Sequence, residues 1–330
     1  MSGAREARVV VTYAADEAER AAQRAEFDAL GGVTFLVDLE GEARTVALGA
    51  AEALICWRLD RDLRPGEAQT ATRARLVQLM SAGADHVDFG ALPPGALLAS
   101  NVGAYADPMA EHALAMVLAL AKRLPANHAR LAAGEFAQEA TLRLRGGVAA
   151  IVGFGGIGRA CARLLRCLGM RIQAINTSGR TDEDVEFVGT LDDLERVLRA
   201  AHVVVLSIPL TRATRGLIGA RELGWMRPEA ILVNVARGAV ADEGALFEHL
   251  RANPSFTAGI DAWWDEPRGG GPFRPARPFL ELPNVLGSPH NSGLVPGVMA
   301  DAAVAAARNV ARFLRGEPPA GLQRAEDYGS

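Results

Sequence analysis

The stretch Val148–Gly169, VAAIVGFGGIGRACARLLRCLG, constrains the fold more than any other in the chain. The small and β-branched residues Val148–Val152 run straight into Gly153-Phe-Gly155-Gly156-Ile157-Gly158. A helical period follows, with Ile157, Cys161, Leu164, Leu165 and Leu168 on one face and Gly169 placed to end it. A bare GxGxxG is weak evidence. One that follows a strand pattern and opens a helix is the fingerprint of a dinucleotide site. Gly153 allows the tight turn, Gly155 lets a pyrophosphate approach the backbone, and Gly158 lets the helix pack on the strand. The free N–H groups at the helix start, about Gly156 and Ile157, suit the anion.

The next strand pattern ends in Asn176-Thr-Ser-Gly-Arg180. A carboxylate at its end would bind an adenosine ribose 2′-hydroxyl and repel a 2′-phosphate. Asn176 carries no charge, Thr177 and Ser178 offer hydroxyls, and the planar fork of Arg180 suits a phosphate. NADP(H) is therefore the favoured cofactor. NAD(H) is the alternative, with Arg180 merely solvated and Asp182 reaching back to the ribose.

Three further strand patterns end in polar residues. Arg237 follows ILVNVA, Asp261 and Glu266 follow AGI, and His290 follows NVLGSP. In open α/β sheets ligands bind beyond the carboxyl ends of the strands, so these residues share one rim. A cation for a carboxylate, an imidazole for a proton and an acid to orient it are what interconverting a 2-keto acid and a 2-hydroxy acid requires.

The first hundred residues repeat the alternation, with strands expected at Val9–Tyr13, Val33–Val37, Ala53–Trp57, Leu76–Met80 and Leu97–Ser100. A helix is expected from Pro108 to Leu124, and a last amphipathic helix ends at Gly316. A chain of 330 residues suits two domains. The reading is two flavodoxin- and Rossmann-like α/β domains with parallel sheets and the active site in the cleft between them. The substrate domain is assigned to 1–100 plus 293–330 and the dinucleotide domain to 101–292. Net charge of −4 argues against nucleic acid or an anionic membrane as partner, and no run of 18 apolar residues spans a bilayer. Three cysteines without a CxxC pair argue against a disulfide framework, and the expected compartment is the cytoplasm. No Cys, His, Asp or Glu cluster has metal-ligand spacing, so no metal is expected.

The segments GFGGIG, SIPLTRATRGLIG, LVNVARGAVADEGAL, GIDAWWDEP and LGSPHNSG, in this order and spacing, resemble the D-isomer-specific 2-hydroxyacid dehydrogenase family along nearly the whole chain. The resemblance implies Arg237 as substrate-binding cation, Glu266 as the histidine's partner and His290 as acid/base. It implies that Asp261 holds the nicotinamide carboxamide and that Ser207, Ile208 and Pro209 lie along the cofactor, with Thr214, Ala236, His290 and Gly293 also contributing. LMSAGADHVD resembles the loop whose amides, near Ala82 and Gly83, bind the substrate carboxylate. PMAEHALAMVLALAKR resembles the helix that links the domains and pairs subunits, implying a homodimer through the dinucleotide domains. Trp263 and Trp264 depart from the family's smaller residues and read equally as core or pocket wall. The loop Arg268–Pro278 reads as a long surface loop. Arg58 reads as solvated, and His86 and His112 as structural or surface histidines. The substrate among 2-keto acids stays open. So do two rivals, a non-catalytic NAD(P)(H)-sensing corepressor and a formate- or phosphite-type dehydrogenase.

Overall fold

The computed structural model describes residues 8–267 and 271–328. The chain divides into two compact units, Met1–Tyr105 with Val295–Ser330, and Ala106–Leu294.

In the first unit, β1 (Val9–Val11), β2 (Val33–Phe35), β3 (Ala53–Cys56), β4 (Leu76–Leu79) and β5 (Leu97–Ala99) form a parallel sheet in the order 2-1-3-4-5. This is the flavodoxin-like order, reversing between β1 and β3. The central strands are buried throughout, and β1 and β3 read as unbroken apolar runs, while β4 carries the buried Gln78. Asp16 and Glu19 cap the helix Glu17–Phe27 reciprocally, each side chain accepting from the other's backbone N–H at 2.8–2.9 Å. That helix packs on the last long helix, Val298–Leu314.

The strand expected over Val33–Val37 stops at Phe35, and Leu36–Asp38 turn as a 3₁₀ helix. The buried Arg44 guanidinium takes the Leu36 carbonyl at 2.9 Å, which removes it from any strand ladder.

The second unit holds β6 (Val148–Val152), β7 (Arg171–Ile175), β8 (Phe187–Gly189), β9 (Val203–Leu206), β10 (Ile231–Asn234), β11 (Thr257–Ile260) and β12 (Val285–Gly287). All are parallel, in the order 8-7-6-9-10-11-12. This is the doubly wound Rossmann order, and its switch point lies between β6 and β9, beside the glycine-rich turn. The core between β9, β10 and their helices is filled by Val204, Leu206, Leu232, Leu246 and Phe256.

The helix expected from Pro108 to Leu124 is two helices, Ala106–Ala121 and Leu124–Ala132. Arg123 breaks them at φ +50°. Pro125 has no N–H for the Ala121 carbonyl and its ring would clash there, so one continuous helix is closed to this sequence.

The first sheet is also not purely parallel. β13 (Leu322–Gln323) returns antiparallel along β5, held by Ser100 N–H on the Gly321 carbonyl at 2.9 Å. Two residues are too few to carry an alternating pattern. Cys56 and Cys161 are buried thiols and Cys167 is exposed, all unpaired. Among the described residues no helix is long and apolar enough to cross a membrane.

Asn284, buried before β12, donates its amide to the Phe256 carbonyl at 2.7 Å and the Leu250 carbonyl at 3.0 Å. It ties β12 to the end of the helix Glu243–Ala252. Asn284→Ala is expected to cost roughly 1–3 kcal/mol, the penalty for stranding buried carbonyls. Urea denaturation of the two proteins checks this; an unchanged midpoint refutes it.

Candidate active site

The glycine-rich turn is a contact between backbones. Gly153 sits at φ +101°, and a Cβ there would lie 2.4 Å from the Ile208 nitrogen. A Cβ on Gly158 would lie 2.1 Å from the Gly153 carbonyl oxygen, so the helix Gly156–Cys167 rests directly on the turn. Ser207 Oγ donates to that same carbonyl at 2.8 Å. Gly155 differs: a Cβ on it would meet nothing within 4 Å. No side chain caps the helix start, leaving the first amides, about Gly156 and half-buried Ile157, without a capping oxygen. A pyrophosphate fits this open, donor-rich helix end.

At the end of β7 the asparagine is a brace. Asn176 Oδ1 accepts from the Gly179 amide at 2.7 Å and the Ser178 amide at 3.1 Å, and its Nδ2 donates to the Arg180 carbonyl at 2.8 Å. Thr177, Ser178 and Arg180 are exposed around it. Asp182 is committed elsewhere, to Arg159 at 2.6 Å. Glu183 pairs with Arg163 at 3.1 Å in the same ladder between helix and loop. Asp184 stands 3.6 Å from Arg166, and the Arg180 side chain makes no hydrogen bond or ion pair among the described residues.

Beyond β10, Asn234 shapes the turn that carries Arg237. Its Oδ1 accepts from Ala236 N–H at 3.0 Å and its Nδ2 donates to the Arg237 carbonyl at 2.9 Å. Gly238 lies against the Trp263–Trp264 peptide, where a Cβ would come within 2.3 Å of the Trp263 carbonyl carbon. This close approach sets the Arg237 turn against the segment holding Glu266.

His290 Nδ1 lies 2.8 Å from both Glu266 oxygens, and the Trp263 amide donates to Oε1 at 2.9 Å. Burial pushes the Glu266 carboxyl up, but the bonds from His290 and Trp263 and the charges of His290 and Arg237 outweigh it, leaving it below the ordinary value. An ionised Glu266 makes Nδ1 the protonated nitrogen and leaves Nε2 as the ring nitrogen not engaged by Glu266.

His290 itself stands at φ +50°, a left-handed conformation that costs a non-glycine residue roughly 1–3 kcal/mol. Asp261 compensates. Its backbone carbonyl takes His290 N–H at 2.9 Å, Oδ1 takes Ser288 Oγ–H at 2.5 Å and Asn291 N–H at 3.1 Å, and Oδ2 takes Ser292 N–H at 3.2 Å. The Asp261 side chain is 0% exposed. The loop function of Asp261 was not readable from spacing, because the partners lie 27 to 31 residues away. His112 and Ser288 were likewise missed as parts of this arrangement.

Beside His290 and Glu266 lies a cavity of about 450 Å³ walled by Trp263, Phe273, Leu280 and Pro289. Trp263 is both wall and core: it is buried, donates Nε1–H to the Ser288 carbonyl at 2.8 Å and meets Phe273 edge-on at 4.9 Å. Trp264 is packing, stacked on Phe279 at 5.1 Å. Of the expected loop, Arg268, Gly269 and Gly270 lie outside the described residues.

Other expected residues have local tasks. Ile208 is the backbone under Gly153, Pro209 is exposed, and Gly293 is half-buried in the turn after His290. Thr214 is buried, its hydroxyl donating to the Pro209 carbonyl at 2.6 Å. In the first unit, Ser81 Oγ donates to the Gly83 carbonyl at 2.8 Å, and the amides of Ala82 and Gly83 have no partner among the described residues. Arg58 pairs with Asp60 at 2.9 Å, and His86 Nε2 lies 3.2 Å from the Trp57 carbonyl. Among the described residues no group of three His, Cys, Asp or Glu side chains is arranged to hold a metal.

Residues 114–292 match the family described as D-isomer specific 2-hydroxyacid dehydrogenase, NAD binding domain. The chain is 31% identical to a glyoxylate reductase of Aeropyrum pernix over 84% of this chain and 83% of that protein. It is similar in structure to a putative formate dehydrogenase from Pyrobaculum aerophilum, with TM-score 0.79 and 28% identity over 97% of this chain and 99% of the other. It is also similar to a D-isomer specific 2-hydroxyacid dehydrogenase from Xanthobacter autotrophicus solved with NADPH, with TM-score 0.77 and 25% identity over 97% and 98%.

The lowered Glu266 carboxyl has a stability consequence of definite sign. Its contribution is fully present above the ordinary value of 4.5 and is lost as pH falls through the lower folded value. The gap in urea midpoint between the wild type and Glu266→Gln is thus expected to be widest above the ordinary value of 4.5 and to shrink as pH falls below it. A gap constant across that range contradicts the ion pair.

Proposed function

Because the chain belongs to the D-isomer specific 2-hydroxyacid dehydrogenase family and is an NAD(P)-dependent dehydrogenase, we propose that it reduces small 2-keto acids and prefers NADPH. The observation that carries this reading is His290, held through Nδ1 by an ionised Glu266 beside the Arg237 turn. The hydride for the keto carbon comes from the dihydronicotinamide when the cofactor is bound. Arg237 pairs with the substrate carboxylate and steadies the developing alkoxide. His290 gives its Nε2 proton to that oxygen, and Glu266 stabilises the imidazolium before transfer. The turn Gly153–Gly158 and the segment Ser207–Pro209 are the proposed cradle of the cofactor, with Ala236 and Gly293 at its nicotinamide end.

The NADPH preference rests on the Asn176–Arg180 turn. It presents no carboxylate, its two hydroxyls are exposed, and Arg180 is uncommitted among the described residues. The relative from Xanthobacter was solved with NADPH, which accords with this. Glyoxylate heads the substrate candidates because the Aeropyrum relative is a glyoxylate reductase. A homodimer through the second unit is supported by the exposed apolar side chains of Leu124, Leu131 and Phe136, the last 83% exposed.

Initial rates over a panel of 2-keto acids with both cofactors test the reading. The expected kcat/KM for NADPH exceeds that for NADH by about tenfold, and Arg180→Gln removes most of the difference by lowering the NADPH value alone. Equal or better turnover with NADH overturns the preference. His290→Ala and Arg237→Ala are each expected to lower kcat by about a hundredfold or more with cofactor still bound. Retention of more than about a tenth of kcat overturns the assigned roles. NAD(P)H production from formate would move the protein to the activity suggested for the Pyrobaculum relative.

A further inference from the structure

We infer that His112 and Ser288 are positioning residues for His290, acting through Asp261 on the loop that carries it. The inference rests on the proposed acid–base role of His290.

The direction of each hydrogen bond follows from valence. Asp261 is held below the ordinary carboxylate value: burial raises it, but the bonds from Ser288 and Ser292 outweigh that. An ionised carboxylate only accepts, so the single Ser288 hydroxyl proton goes to Asp261 Oδ1. The Ser288 oxygen is then left with lone pairs alone. His112 Nε2 stands 2.9 Å from it and must be the N–H donor. The string runs from His112 Nε2–H to Ser288 Oγ–H to Asp261 Oδ1.

Its far end is fixed. His112 lies on the helix Ala106–Ala121. One turn further along, Met116 presses on β11, with its sulfur 3.0 Å from where a Gly259 Cβ would stand. β11 delivers Asp261 two residues later. Helix and strand therefore approach closely where the string begins and ends, and Ser288 is pinned between them.

Its near end is the part that matters for turnover. Asp261 grips Ser288, Asn291 and Ser292 by its carboxylate and His290 by its carbonyl, and together these hold His290 at φ +50°. Loss of the Ser288 bond removes the shortest of these contacts. The loop can then relax His290 out of the left-handed region, turning the imidazole away from Glu266. Among the described residues neither His112 nor Ser288 hydrogen-bonds to Glu266, so their effect is on aim.

Ser288→Ala, His112→Leu and His112→Gln in the full-length protein test this, with folding verified by circular dichroism and Tm. The first two are expected to lower kcat for glyoxylate reduction by about tenfold, as loss of aim without loss of binding does. KM for glyoxylate and the Kd for NADPH stay within about twofold. His112→Gln retains an N–H donor and is expected to recover to within about threefold of wild type. If His112→Leu does not fold, Ser288→Ala, which removes one oxygen, decides. Amide exchange over residues 288–292 reads the loop without turnover and is expected to quicken about tenfold in Ser288→Ala. An unchanged kcat in the folded variants of an active enzyme, an unchanged exchange rate, or a loss confined to KM or Kd overturns the inference. A wild type inactive on every 2-keto acid instead overturns the proposed function, and the exchange result then judges the loop by itself.

Discussion

The second unit is built on a contact that leaves no room for a side chain. The Gly153 backbone lies against Ser207 and Ile208, and Gly158 lies against the Gly153 carbonyl. Any Cβ at either position would overlap main-chain atoms, which cannot swing aside as a side chain can. This contact seats the helix Gly156–Cys167 on β6 and joins it to the start of the segment after β9. It also leaves Gly155 facing open space at a helix end with unspent donors. The place where a phosphate fits is thus a by-product of how closely three backbones pack.

The rim beyond β10, β11 and β12 follows a different logic, in which buried charge organises irregular chain. Parallel strands end in loops with no ladder of their own, and their polar groups need partners. Asp261 supplies them for Ser288 to Ser292, and Asn234 does the same for the Arg237 turn. The left-handed backbone at His290 is tolerated because four hydrogen bonds to Asp261 surround it. Glu266, nearer solvent, is left to hold the imidazole.

Much of the fold was legible because buried parallel strands are short apolar runs punctuated by helical periods. The exceptions share a cause. The stop at Phe35 depends on Arg44 reaching a carbonyl, and β13 depends on Gly321 meeting Ser100. The break at Arg123 was visible in Pro125, yet the apolar period continued across it. In the site, the residue types at the strand ends were readable in Arg237, Asp261, Glu266 and His290. What each one touches was not. Asn176 read as an absence of charge, and folded it is the brace of its own turn. Asp182 read as a rival ligand for the ribose, and folded it is taken by Arg159, 23 residues away.

The sequence by itself determined two alternating α/β units, a glycine-rich turn of dinucleotide type and the order in which cation, acids and imidazole emerge. These are properties of spacing and of backbone allowance, which a linear string carries. Only the tertiary structure decided that Asp261 spends its carboxylate on the His290 loop, that His112 and Ser288 extend that grip, and that Trp263 walls a cavity beside His290 while the half-buried Trp264 stacks on Phe279. Each is a contact between segments distant in the chain, and hydrogen-bond capacity is allotted only when those segments meet.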